Sequence, residues 1–359
     1  MAFELKRLFE DVFNPRKGEI VTIIYDVPHN HINDTKEWSE RRKMAEEWQR
    51  QLEEFAGQYG IFIKPPISYK ATGTHNMDMP EYGICQGESV CLDNIIKNST
   101  IILSMPEFSA SAPLLGFTGK YENLRVASMP GVTKSMEATG LSADYKKIAE
   151  VCSRLAPFFE KSRGVEIMFS TGHKCYFDIS GNNPVYQDNG ILHPGAEKDA
   201  FRLRNLPSGE VFTCPDESED SQTAGEIPAV IEDETIVFIV KNNMIIDVKG
   251  PGAITGKMRK KFNDERALCN IAEVAIGCND KAIVTGNVLE DEKAGFHWAY
   301  GRSDHIGGKI GVKDFSSPGN VAHIDIVYAK GNPIICQKFD FVFPDGTRKT
   351  AIIDGNLII

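Results

Sequence analysis

Glu19-Ile-Val-Thr-Ile-Ile-Tyr-Asp26 is a short apolar run rich in β-branched residues. Such a run, bounded by polar residues, reads as a buried strand. A long helix follows it. Trp38, Arg41, Met44, Ala45, Trp48, Leu52 and Phe55 recur at three- and four-residue spacing, which places them on one apolar face. Asp34 and Glu37 fit a capping box at its start, and Gly57 and Gly60 close it.

Outward from this unit the alternation repeats. Ile61-Phe62-Ile63, Thr100-Ile-Ile-Leu-Ser104 and Leu124-Arg-Val-Ala-Ser128 read as further strands. A helix over 141–159 puts Tyr145, Ile148, Cys152, Leu155 and Phe159 on one face, with Pro157 as a kink point. Strands alternating with helices predict an α/β domain with a mainly parallel sheet. The second half changes character. Residues 167–179 and 235–248 read as strands joined by turns, helical periodicity covers 258–275, and short β-like segments run to the C-terminus. This predicts a mixed α+β domain. Gly181-Asn-Asn-Pro184 and His193-Pro194-Gly195 interrupt the pattern, so the expected domains are 1–185 and 186–359. Two domains also suit a chain of 359 residues.

Composition excludes several classes. The net charge of -10, from 40 basic and 50 acidic residues, argues against general nucleic-acid binding, which needs a basic face. No run of ~18 apolar residues exists to span a membrane, and the charged N-terminus lacks the apolar core of a signal peptide. The eight cysteines form no CxxC pair, which suits reduced thiols and a cytoplasmic location. No GxGxxG follows the first strand, and no GxxxxGK[ST] or HExxH occurs, so a phosphate-cradling loop and a zincin site are unsupported. No nucleophile elbow selects a serine triad.

The second half holds metal-type ligands. On a strand, residues two apart share a face, so His323 and Asp325 of Val321-Ala-His-Ile-Asp-Ile-Val-Tyr328 would reach one cation, or form a surface pair on an edge. His297 lies between Phe296 and Trp298, which implies partial burial, as ligand or as core histidine. Glu273 is flanked by Ile, Ala and Val. An acid there is seldom buried without a cation or arginine, unless it lies on an exposed face. Glu210 follows Pro207 and Gly209 in a constrained loop. Glu292 precedes His297 by five residues, and on a helix the two would not share a face.

The order and context of these residues are more specific than any one of them. The chain from Leu206 to Val327 resembles the thermophilic-type metalloaminopeptidases, the aminopeptidase T family (leucyl aminopeptidase-like). The matching pieces are Leu-Pro-Ser-Gly-Glu-Val-Phe-Thr from Leu206, Ala-Glu-Val-Ala-Ile-Gly from Ala272, Asp-Glu followed by His-Trp-Ala-Tyr-Gly from Asp291 to Gly301, and His-Ile-Asp from His323. The resemblance implies metal ligands at Glu210, Glu273, His297, His323 and Asp325. Three carboxylates and two imidazoles suit two divalent ions, Zn, Co, Mn or Mg, sharing a bridging carboxylate, with Glu273 as the expected bridge. The family places a tyrosine seven residues after the histidine matched by His297; here that position is Asp304, followed by His305.

A second family is similar over the same half. The mononuclear iron 2,5-dihydroxypyridine dioxygenases share the Pro-Ser-Gly, Phe-Thr and terminal His-x-Asp pieces, with a histidine in the place of Glu273. The glutamate here ranks a metal-dependent, aminopeptidase-like hydrolase first. It would cleave an amide or peptide-like bond with metal-activated water, Glu273 acting at the centre and Glu292, Asp304 and His305 as candidate proton shuttles. The alternative is a ring-cleaving dioxygenase acting on a hydroxylated heteroaromatic, with one Fe(II) on His323, Asp325 and either Glu273 or His297. A non-catalytic binding protein is the third reading. The expected partners are a small-molecule or short-peptide substrate and, by resemblance, a second copy in a homodimer, with no nucleic acid and no membrane.

Overall fold

The computed structural model describes residues 3–195 and 202–359. Two compact units emerge. The first takes the ranges 1–149, 188–208 and 280–282, and the second takes 150–187, 209–279 and 283–359. The chain therefore passes between them repeatedly, and they are not the consecutive halves 1–185 and 186–359.

The first unit is built on a mixed sheet. Leu203–Asn205, Arg125–Ser128, Ile101–Ser104, Ile20–Val27 and Ile67–Lys70 lie side by side in parallel, and Tyr82–Cys85 and Glu88–Cys91 continue the sheet antiparallel. The parallel strands Ile101–Ser104 and Arg125–Ser128 are buried throughout, as strands covered on both faces must be. The helix Lys36–Tyr59 starts on Thr35, whose Oγ1 accepts the backbone N–H of Trp38 at 3.1 Å. The capping residue is thus Thr35, and Asp34 turns instead to Arg42. Gly60 ends the helix at φ +64, a left-handed position suited to glycine.

The second unit carries two sheets. One has the order Val185–Asp188, Glu210–Thr213, Ile271–Gly277, Phe296–Gly301, His323–Val327; its last four strands run antiparallel. The other runs Met244–Lys249, Glu234–Lys241, Ala224–Ile231, Lys174–Asp178, Gly164–Phe169, Cys336–Val342, Arg348–Ile353, Asn356–Leu357. Aromatic side chains join them: Phe238 meets Trp298 edge-to-face at 5.6 Å, and Phe169 packs on Tyr328 at 4.7 Å and on Phe296 at 6.2 Å.

One expected element is corrected. The helical periodicity over 258–275 divides into the helix Ala253–Asp264, a short turn at Arg266–Cys269 and the strand Ile271–Gly277. Every residue of that strand is buried, so the two-residue alternation that marks a half-exposed strand is absent. No helix among the described residues is long and apolar enough to cross a membrane.

Candidate metal centre

The five-stranded sheet explains why the acidic and imidazole side chains meet. Phe296, Trp298 and Tyr300 alternate with His297, Ala299 and Gly301 along one strand. Alternate residues face opposite sides, so the aromatics enter the core and the other three form a floor. Directly opposite residues in an antiparallel pair share a face. Glu273 pairs with Ala299, which pairs with Asp325; His297 pairs with Ala275, and His323 with Gly301. Glu210 pairs with Gly277. Ala275, Gly277, Ala299 and Gly301 are small residues opposite these side chains in the neighbouring strands.

Two groups of donors result. Glu273, His323 and Asp325 each offer an atom within 4.8 Å of the others, and so do Glu210, Glu292 and His297. Glu273 links the groups. Its Oε2 lies 3.1 Å from His323 Nε2, and its Oε1 lies 3.5 Å from His297 Nε2. His323 Nε2 stands 3.6 Å from Asp325 Oδ1, and His297 Nε2 stands 3.4 Å from Glu210 Oε2. Both imidazoles are oriented from behind. His323 Nδ1 donates to the Arg302 carbonyl at 2.7 Å and His297 Nδ1 to that of Gly295 at 3.2 Å. A carbonyl can only accept, so each Nε2 is left facing the carboxylates, the arrangement expected behind metal-binding histidines.

The groups differ in access. The group of His323, Asp325 and Glu273 is the more open, its side chains keeping 19%, 13% and 8% of their surface; in the more closed group Glu292 keeps 14%, but Glu210 and His297 keep only 7% and 1%. The closed group also contains a residue that sequence reasoning missed. Lys293 is fully buried, its Nζ 2.6 Å from Glu210 Oε1 and 2.5 Å from Glu292 Oε1. Gly277 makes this possible: a Cβ there would stand 2.2 Å from the Glu292 carbonyl oxygen. Its N–H donates to the Gly295 carbonyl, and that of Asn279 to the Lys293 carbonyl.

The charges reinforce one another. Burial works to raise the Glu273 pKa, but His297 and His323 hold it down to about 2. Burial likewise opposes ionisation of Glu210, and Lys293 with His297 outweighs it. Both histidines are raised well above the ordinary imidazole value by these carboxylates, against their own burial. Glu292 goes the other way: burial, then repulsion from Glu210 and Asp325, pushes it up to about 8 despite Lys293.

Of the candidate shuttles, Glu292 belongs to the closed group. The turn Glu292–Ala294 leads into the strand Phe296–Gly301, so the helical geometry that would have separated Glu292 from His297 does not apply. His305 packs edge-to-face on His323, centroids 5.0 Å apart. Asp304 does not join either group; Arg302 Nε donates to it at 2.5 Å.

No family model matches the chain, and no curated protein matches it. Among solved structures it is similar to the 2,5-dihydroxypyridine dioxygenase of Pseudomonas putida KT2440, with a TM-score of 0.62 and 16% identity over 99% of this chain and 96% of that one. The likeness shows a shared fold over the whole chain. It overturns the aminopeptidase-type reading: nothing supports membership of the aminopeptidase T family, and the solved structure whose fold this chain shares is a dioxygenase, not a peptidase. A dinuclear hydrolytic centre is corrected with it, for a physical reason already visible: the ammonium of Lys293 stands among the donors a second ion would need.

Proposed function

We propose that this protein is a mononuclear Fe(II)-dependent dioxygenase that cleaves the ring of a hydroxylated heteroaromatic. The observation that carries the reading is the open group of Glu273, His323 and Asp325, with Lys293 lodged in the closed one. The fold shared with a 2,5-dihydroxypyridine dioxygenase supports the reaction and substrate class.

The donor set fits one divalent ion. Glu210, Glu273 and Asp325 bring three negative charges, Lys293 returns one, and two remain for a single ion. Glu292, pushed up to about 8, is mostly neutral at pH 7. His323 and Asp325 would hold the metal with Glu273, and His297 stands next to Glu273 as the other candidate donor. Imidazole and carboxylate donors with open positions suit non-haem Fe(II). Bound there, iron supplies dioxygen activation beside an electron-rich ring. Ring cleavage takes both oxygen atoms into the product, so it draws on no separate reductant.

The chain's own residues do the rest. The Arg302 carbonyl fixes the His323 ring, so Nε2 is presented in one orientation. The protonated Glu292 carboxyl and the His305 imidazole are the groups able to hold or pass a ring hydroxyl proton. The aromatic wall behind Ala299 keeps the floor dry from the core side.

Anaerobic loading with Fe(II), followed by 2,5-dihydroxypyridine and air, tests the proposal. The expected result is oxygen consumption equal to the loss of ring absorbance. Iron bound with no oxygen uptake on any dihydroxylated pyridine would refute it.

A further inference from the structure

We propose that Lys293 is a built-in cation that stands in for a second metal ion and so limits this centre to one. The inference rests on the metal-centre reading above, which uses Lys293 only as a compensating charge, and gives that residue a role in setting the number of ions.

The closed group has the makings of a metal site. Glu210, Glu292 and His297 present three donor atoms within 4.8 Å of one another, all on buried or nearly buried side chains. Glu210 Oε2 is buried without a hydrogen-bond partner and lies 3.4 Å from His297 Nε2. Such a set, emptied of lysine, has the composition of a hard-cation site. Lys293 instead satisfies it from within. Its ammonium touches one oxygen of each glutamate, and none of the side chain reaches solvent. A buried ammonium persists only when opposite charge compensates it; the Glu210 carboxylate does so here, and the Glu292 carboxyl accepts a second hydrogen bond from it.

The backbone places that ammonium on purpose-built geometry. The Glu292–Lys293 segment lies directly on Gly277, where any side chain would collide with it. The Asn279 N–H anchors the Lys293 carbonyl at 3.0 Å. Glu210 sits opposite Gly277 in the sheet, so one glycine sets both the lysine and its carboxylate partner. A divalent ion entering the closed group would be repelled at contact distance by Lys293, whereas the open group has no such occupant among the described residues.

Mn(II) alone, under equilibrium dialysis with elemental analysis, is the probe. Wild type should hold one Mn(II) per chain and give the spectrum of an isolated ion by electron paramagnetic resonance. Lys293→Met, which keeps the volume of the stem, should hold two, with spin coupling between them. Lys293→Arg, which keeps the charge, should return to one. Should Lys293→Met fold only with metal present, Mn(II)-dependent folding to a two-ion state would carry the same answer. Two ions in wild type, or one ion in a folded Lys293→Met, would overturn the role of Lys293. No ion in wild type would instead overturn the metal-centre reading itself.

Discussion

Glu273→Gln isolates the contribution of the carboxylate that joins both histidines. The substitution keeps the size of the side chain, which is 6% exposed, but removes its charge and turns one oxygen into a donor. Of the three donors in the open group, one is then lost. Removing even an outer partner of a ligand costs about 10–100-fold in metal affinity, so losing a direct donor should cost ~100-fold or more. A ligand that binds only the native state stabilises it by RT ln(1 + [L]/Kd), about 2.7 kcal/mol at 100 times Kd. At the same Mn(II) concentration a variant weakened ~100-fold gains only about 0.4 kcal/mol. For a unit of this size ~1 kcal/mol moves Tm by about 2–4 °C. Mn(II) should therefore raise the melting temperature of wild type by about 5–10 °C and that of Glu273→Gln by about 1 °C. The difference between metal-bound and metal-free melts is the readout, because the substitution also disturbs the metal-free charge pairs with His297 and His323. An equal metal-induced rise in both proteins, measured by calorimetry, would refute the placement of the ion at Glu273.

Gly277→Ala should lower Tm and weaken Mn(II) binding together, because its Cβ would meet backbone at 2.2 Å; Gly119→Ala, in the helix Ser111–Lys120 with nothing within 4 Å, should be neutral or stabilising by up to about 1 kcal/mol, and equal melts for the two would count against the packing argument. Trp298→Ala should cost about 3–5 kcal/mol in urea unfolding, since it empties a fully buried site against Phe238; a loss under ~1 kcal/mol would mean that the core repacks. The carboxylate of Glu234 accepts the N–H groups of Gly252, Ile254 and Thr255 at the start of the helix Ala253–Asp264. Burial opposes its ionisation, but these bonds and the Thr255 hydroxyl hold its pKa below the usual range. A depressed carboxylate stabilises the fold above its unfolded pKa and loses that contribution as pH falls through its folded one. Glu234→Gln should therefore melt lower than wild type at pH 7 and converge with it in acid; a gap that persists at pH 2 would refute the assignment.

Part of the candidate site was legible in the sequence from strand geometry, and the rest only through the family resemblance that grouped Glu210, Glu273 and His297 with it. His323 and Asp325, two apart, do share a face, and the buried glutamate at Glu273 does have a compensating partner, His297 on one side and His323 on the other. Two kinds of information were hidden. The strand Ile271–Gly277 is covered on both faces, so its apolar run reads equally well as helix. Lys293, in Asp291-Glu-Lys-Ala, looks like a solvated charge triplet. Only the close approach over Gly277, a contact between strands distant in sequence, reveals that it is internal. The ranking of hydrolase over oxygenase rested on the glutamate at 273, where the dioxygenases carry histidine, and the fold shared with a dioxygenase overturns it. The two-unit division was misjudged for a related reason: local pattern breaks do not report where a chain returns.

The strand Phe296–Gly301 is at once a wall of the core and a floor of the centre. Its ligand side cannot shift without dislodging Trp298 and Tyr300 from their aromatic neighbours. The donor positions of the proposed site are therefore held by packing energy, whether or not an ion binds. Chelation should leave a folded, reloadable apoprotein, in contrast to small zinc modules whose folding is their metal binding. Different divalent ions could then be exchanged into the same frame and their spectra compared on a constant scaffold.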